Sequence, residues 1–215
     1  MQIKRFVVNP FQENCYLLSD ETGEAVLLDP GCYFAAERTA VQNYISQNGL
    51  RLRHLLCTHL HPDHIFSLGF FEKQYNLKTE AHEGDLDWLQ RAPWYSAQLG
   101  IDWKEEELGA PVSLECPLSD GDELHFGTHT VQVLYTPGHS QGSVCFYLPD
   151  EAVLFTGDTL FDGSVGRTDF PGGSMSMLQK SLREKIFTLP DEVEVWPGHG
   201  GTTALGREKR FNPFA

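Results

Sequence analysis

The chain predicts an α/β fold, and three observations carry that prediction. Short apolar runs of strand character recur from the first residues onward, among them IKRFVV (3–8), CYLLS (15–19) and AVLLDPG (25–31). Segments with apolar residues at helical spacing fall between them, the first being AAERTAVQNYISQNG (35–49). The two kinds alternate along the chain, which is the order expected when helices cover sheets.

Each element has its own signal. Asp-Pro-Gly ends the strand 25–31 abruptly. In 35–49, Ala36, Ala40, Val41, Tyr44 and Ile45 share a helical face, and Gly49 is the stop. LRHLLC (52–57) is the next strand, followed by a helix over IFSLGFFEKQYN (65–76) and a short strand at KTEAH (78–82). A helix over 83–100 is interrupted near Pro93, and 91–122 is the least regular stretch; its Trp94, Tyr95 and Trp103 either wall a substrate pocket or pack down. ELHFGTHTVQVLYTPG (123–138) reads as a hairpin turning at Gly127 and Thr128. Strands at 143–149 and 152–158, a helix over 175–189, the strand EVEVWPGHG (192–200) and a helical tail complete the chain.

Composition narrows the class. With 215 residues and 40% hydrophobic content the chain can bury a substantial core, and we expect one domain over 1–215. No apolar run reaches membrane length, and Pro10 interrupts the start before a signal-peptide core forms, so a soluble cytoplasmic protein without a membrane partner is expected. Five cysteines, widely spaced and without a CxxC pair, read as reduced, mostly buried small residues. A net charge of -14 repels a phosphate backbone and excludes nucleic acid as an expected partner; an anionic substrate would need local positive charge. Oligomeric state is not encoded in any of these features.

The octet CTHLHPDH (57–64) crowds three histidines and an aspartate behind an apolar strand. In an extended chain His59 and His61 point to one side, so together they can chelate one metal ion. Pro62 biases His61 toward extended geometry and suits the first position of a helix, so Asp63 and His64 project differently and can serve a second ion. The pattern recurs: LLCTHLH, VLYTPGH, VLFTGD and VEVWPGH each join an apolar strand to a sharp break and then a metal-capable side chain. Four strands thus deliver donors to what reads as one sheet edge. His139 can close the first set, His199 the second, and Asp158 can bridge them. The repeated PGH at 137–139 and 197–199 raises the expectation of two related halves. Imidazole with carboxylate and no cysteine suits two divalent ions, and zinc, iron and manganese are not separated by this donor set. Two ions about 3.5–4 Å apart lower the pKa of a shared water toward ~7, the condition for hydrolysis at neutral pH. Asp29, ending LLDPG, is expected to orient a ligand histidine from behind or to shape the turn. His54, His82, His125 and His129 lack such support and are assigned to solvated faces or structural hydrogen bonds.

THLHPDH, TPGHSQGS, FTGDTLF and WPGHG together resemble the metallo-β-lactamase superfamily, and the likeness runs from NPFQENCYLL to REKRFNPF. The resemblance implies a four-layered αββα sandwich, with His59, His61 and His139 on one metal, Asp63, His64 and His199 on the other, and Asp158 between. GSVGRTDFPGGS (163–174) is similar to the corresponding loop of glyoxalase II-like enzymes, which implies hydrolysis of a small-molecule thioester such as S-lactoylglutathione. Hydroxide between the metals would attack the carbonyl, Asp63 would orient it or take its proton, and Arg167 could meet a substrate carboxylate or pair with Asp169 or Asp162. Larger glyoxalase II enzymes carry a C-terminal helical domain, whereas this sequence runs only a short way past WPGHG, and where they place tyrosines near the glutathione, Asp169 follows GRT and Gly201 follows HG. The persulfide dioxygenases share GRTDF, and on that alternative His59, His139 and Asp158 would hold a single iron. A lactonase or a non-catalytic metal-binding module is a more distant reading.

Overall fold

Alternate residues of the central strands face different layers, and this alternation builds the molecule. The computed structural model describes residues 1–109 and 112–215. The first sheet contains β1 (Gln2–Val8), β2 (Glu13–Ser19), β3 (Glu24–Leu28), β4 (Arg51–Leu56), β5 (Thr79–Ala81) and β6 (Cys116–Pro117), side by side in chain order. β1–β2–β3 pair antiparallel and β3 to β6 parallel. The second sheet contains β7 (Glu123–Phe126), β8 (His129–Tyr135), β9 (Val144–Leu148), β10 (Val153–Gly157), β11 (Glu194–Pro197) and β12 (Thr203–Ala204), antiparallel except where β10 meets β11.

Along β2, Tyr16 and Leu18 face the second sheet, where Val26, Leu28, Leu56, Val133, Phe146 and Phe155 join them in a core between the sheets. The intervening Cys15 and Leu17 face outward to a second core with Val41 and Ile45 of α1 (Ala35–Gln47). That core also takes in Ile65 of α2 (Pro62–Ile65), Phe71 of α3 (Leu68–Tyr75), Trp88 of α4 (Leu86–Gln90) and Tyr95 of α5 (Ala92–Gln98). A short α6 (Glu105–Leu108) follows. On the far side, Cys145, Tyr147 and Leu154 meet Leu178 of α7 (Met175–Ser181), Leu182 and Ile186 of the π-helical turn after it, and Leu205 of α8 (Leu205–Phe211). Helix, sheet, sheet and helix form the four expected layers. β2 and β9 are buried along their whole length, as strands covered on both faces must be.

Several boundaries differ from expectation for local reasons. β3 ends at Leu28, because Asp29 takes a left-handed φ of 49° and turns the chain toward the site. The expected helix 65–76 begins earlier, at Pro62, and breaks between α2 and α3; Asn76, at φ 52°, closes it. The expected interruption near Pro93 is present, between α4 and α5. The break lies at Arg91, and Pro93 occupies the first turn of α5, where its missing N–H costs nothing. Both PGH triplets follow strands of the second sheet, so they do not mark two halves; the chain divides between its sheets, after β6. Among the described residues no helix is long and apolar enough to cross a membrane.

Candidate metal centre

The four donor-bearing breaks follow β4, β8, β10 and β11. They therefore converge from two sheets at one end of the sandwich, where a single sheet edge was expected. His59, His61 and His139 form one group: His139 Nε2 lies 3.2 Å from His59 Nε2 and 2.8 Å from His61 Nδ1. Asp63, His64 and His199 form another, with His199 Nε2 3.3 Å and His64 Nε2 3.8 Å from Asp63 Oδ2. Asp158 stands between the groups. Its Oδ2 is 3.6 Å from His139 Nε2 and 3.7 Å from His199 Nε2, while its Oδ1 is 3.5 Å from His64 Nε2.

What lies behind the rings explains why these atoms converge. His139 Nδ1 donates to the Arg167 carbonyl at 2.7 Å and His199 Nδ1 to the Phe11 carbonyl at 3.1 Å. His59 Nδ1 donates to Thr58 Oγ1 at 3.1 Å, and His64 Nδ1 to Asp29 Oδ2 at 3.2 Å. With a hydrogen on Nδ1, each Nε2 is turned inward. His61 is reversed: its Nδ1 faces the cluster, its Nε2 is buried without a partner among the described residues, and its ring packs edge-to-face on Trp88 with 4.2 Å between ring centres.

Asp29 does more than shape the turn. Its Oδ1 accepts from the Thr58 amide and its Oδ2 from Thr58 Oγ1, each at 2.7 Å, so one carboxylate braces both His59 and His64. Asp85, which sequence reasoning missed, joins the two halves of the first group. It accepts from the Leu60 amide at 3.1 Å, from Ser140 Oγ at 2.6 Å and from the Gly142 amide at 2.7 Å. Glu83, Asp85 and Asp87 of EGDLDW carry no spacing that singles out Asp85. Asn14 and Tyr16 were missed too; their side chains hold the Pro197 carbonyl at 2.9 and 2.6 Å and so fix the loop bearing His199. That loop passes so close that a Cβ on Gly198 would overlap Asp158 Oδ1 and lie 2.8 Å from His64 Cε1.

Burial, reinforced by neighbouring imidazoles, pushes His59 and His61 well below the usual histidine range, so both are neutral donors. Burial also disfavours charge on His64, but Asp63, Asp158 and the bonded Asp29 outweigh it and raise its pKa to about 9. Burial alone would raise the Asp63 carboxyl; His64 and the hydrogen-bonded His199 instead hold it below the usual carboxylate range. Glu13 is buried near His64 Nδ1, at 3.9 Å, and burial together with Asp29 raises its pKa well above normal.

Arg167 lies on the rim. It makes two 2.7 Å bonds to Asp169, stacks 3.9 Å from the centre of the Phe170 ring, and lines the bowl with His61, Asp63, His139, Asp158 and His199. Trp94 and Tyr95 do wall a pocket, together with the unforeseen Trp88. Trp103 instead packs on Phe66 and donates to the Gly109 carbonyl. His54, His125 and His129 sit in hydrogen bonds or ion pairs away from the cluster, and His82 caps a 3₁₀ turn.

A family model for the metallo-beta-lactamase superfamily matches residues 8–199. The chain belongs to that superfamily. Among superfamily relatives, the probable metallo-hydrolase YqgX of Bacillus subtilis is 36% identical, with 100% of this chain and 97% of the relative covered. Hydroxyacylglutathione hydrolase GloC of Haemophilus influenzae is 32% identical, with 100% and 98% covered. Of solved structures, the BLEG-1 B3 metallo-beta-lactamase superposes with a TM-score of 0.87 at 36% identity, covering 99% of each chain. TTHA1623 in a di-iron-bound form gives 0.85 at 37%, covering 99% and 100%. ETHE1 from Myxococcus xanthus gives 0.79 at 30%, covering 99% and 84%. Superfamily members use divalent metals, and the donors assembled here fit such ions. His64 Nε2 and Asp158 Oδ1 are buried with no hydrogen-bond partner among the described residues, and each lies within one of the convergent donor groups.

Proposed function

We propose that this protein is a metal-dependent hydrolase with a binuclear centre that cleaves a thioester of the S-acylglutathione type, such as S-lactoylglutathione. One observation carries the reading: seven side chains converge as two sets of three with Asp158 between them. His59, His61 and His139 would hold one ion and Asp63, His64 and His199 the other. The whole-length likeness to GloC supports the thioester as substrate. Zinc is the proposed metal; the di-iron neighbour supports iron as an occupant, and manganese suits the same donors. The reaction is placed in the cytoplasm, on a small molecule, without a nucleic-acid or membrane partner.

Held by His59, His61, His139, Asp63, His64, Asp158 and His199, two divalent ions would supply a hydroxide at neutral pH and polarise the thioester carbonyl. The chain's own residues do the rest. Asp63, kept ionised by His64 and His199, orients the nucleophilic water or takes its proton. A thiol has a pKa of about 8.5, so the leaving thiolate departs without a strong general acid. Arg167 meets a carboxylate of the thiol arm by exchanging it for Asp169, a trade made easy because both members of that pair are exposed and solvent-screened.

The likeness to ETHE1 lends some weight to a second reading, a mononuclear-iron persulfide dioxygenase using His59, His139 and Asp158. Metal counting separates the two. Purified protein loaded with zinc, iron or manganese is expected to bind close to two equivalents and to hydrolyse S-lactoylglutathione, and His59→Ala to lose activity and metal together. One iron per chain with oxygen uptake on glutathione persulfide would replace the hydrolase reading; no turnover of several thioesters by fully loaded protein would also end it.

A further inference from the structure

Beside the metal bowl lies a second cavity of about 170 Å³, which shares His61, Asp63, Leu99 and Phe170 with it and is otherwise lined by Pro62, Trp88, Trp94, Tyr95, Gln98 and Pro171. Its aromatic walls offer few hydrogen bonds. The Trp88 indole N–H is spent on the Pro171 carbonyl at 3.3 Å, and the Tyr95 hydroxyl on Asp87 Oδ2 at 2.5 Å. Arg91 stacks 4.5 Å from the Trp94 ring and 5.3 Å from that of Tyr95, which fixes the α5 side of the cavity. A dry cavity of about 150 Å³ is enough to hold benzene. Arg167 lines the bowl and not this cavity, so the two arms of a thioester would meet different chemistry: the anionic thiol arm a guanidinium, the acyl arm an apolar, aromatic slot.

We infer that this slot binds the acyl group, and that the preferred substrate carries an apolar acyl chain of about phenyl size in place of the small polar lactoyl group. The inference rests on the thioester reading and deepens it. Burying such a group is worth on the order of 10- to 100-fold in kcat/KM.

Two measurements test it. In the first, zinc-loaded protein is assayed on S-phenylacetylglutathione, S-lactoylglutathione and S-acetylglutathione, with S-acetyl benzyl mercaptan placing the phenyl group on the thiol arm. The aromatic acyl ester is expected to exceed the acetyl ester at least ~10-fold in kcat/KM, and Gln98→Trp, which fills the slot, to bring the ratio near one. In the second, the indole N–H resonances of Trp88 and Trp94 are followed by NMR as phenylacetate or acetate is added to metal-loaded and metal-free protein. Phenylacetate is expected to move them and acetate not. Equal or poorer turnover of the aromatic acyl ester with unmoved indoles would overturn the inference and leave the thioester reading intact. A preference confined to the benzyl thiol arm would overturn it as well. No turnover of any thioester, with the indoles still moving, would sink the thioester reading while supporting an apolar occupant for the slot.

Discussion

The two regions that build the candidate metal centre are made in different ways. His59, His61, Asp63 and His64 come from one short segment, whose directions are set by a strand end, Pro62 and the single turn of α2. His139, Asp158 and His199 come from three separate strand ends of the other sheet, β8, β10 and β11. The first region is braced from its own sheet, by Asp29 on Thr58 and His64 and by Asn9, whose side chain bonds the Asp63 carbonyl at 2.8 Å. The second is braced largely across the sandwich: Asn14 and Tyr16 hold the His199 loop, and Asp85 holds Ser140 next to His139. A contiguous ligand segment needs only local backbone geometry, whereas dispersed ligands need the two sheets to be in register.

The sharpest way to break this comparison is to remove the donor common to both sets. Asp158→Ala is expected to deplete both ions and to lower hydrolysis by about 10³-fold or more, equivalent to some 4 kcal/mol of transition-state stabilisation. His61→Ala removes one donor from one set and is expected to leave the Asp63–His64–His199 ion largely bound. Metal content by elemental analysis, with thermal melts to confirm folding, checks both. Equal loss of both ions in His61→Ala would mean that the two sets do not act separately.

How much of this was legible in the sequence follows the same division. The octet could be read directly because local periodicity dictates its geometry. His139, Asp158 and His199 were legible through the repeated grammar of apolar strand, break and donor. Which sheet each strand joined was not, since pairing is a long-range property; hence the repeated PGH suggested two halves although both triplets lie in the second sheet. Asp29 was visible as a strand stop. Asp85 and Trp88 were invisible: one is the middle of three carboxylates with no distinguishing spacing and the other a lone aromatic on a short helix, and their significance comes from what packs against them in space.

Asp85 and Asp29 sharpen the comparison with a smaller effect. Asp85 touches only the first set, through Leu60 on one side and Ser140 and Gly142 on the other. Asp29 braces a histidine of each set. Loss of such supports weakens metal affinity about 10- to 100-fold. Asp85→Asn is therefore expected to weaken one of two ions, and Asp29→Asn both, in stepwise titrations against a chromophoric chelator. Matching losses at both ions in Asp85→Asn would show that it acts on the fold as a whole and not on one ligand pair.

The smallest expected effect concerns register alone, away from the donors. His54 of β4 faces oxygen on both sides: Nδ1 is 2.7 Å from Glu80 Oε1 on β5, and Nε2 is 3.0 Å from the His125 carbonyl on β7 of the other sheet. Only the doubly protonated ring can donate to both. Burial alone would lower the His54 pKa, but the hydrogen-bonded Glu80 carboxylate outweighs it and the pKa is raised. A pKa raised in the folded state contributes stability that is fully present below the unfolded value of about 6.5 and is lost as pH rises through the folded value. Urea melts of the native chain and Glu80→Gln at pH 5.5 and 8.5 should therefore differ more at the lower pH, by at most about 1 kcal/mol for a pair of this kind. Metal content should be the same in both proteins. A stability difference that stays constant with pH would remove His54 as a charged tie between the sheets, and a change in metal content would show that register and ligand geometry are coupled through β4.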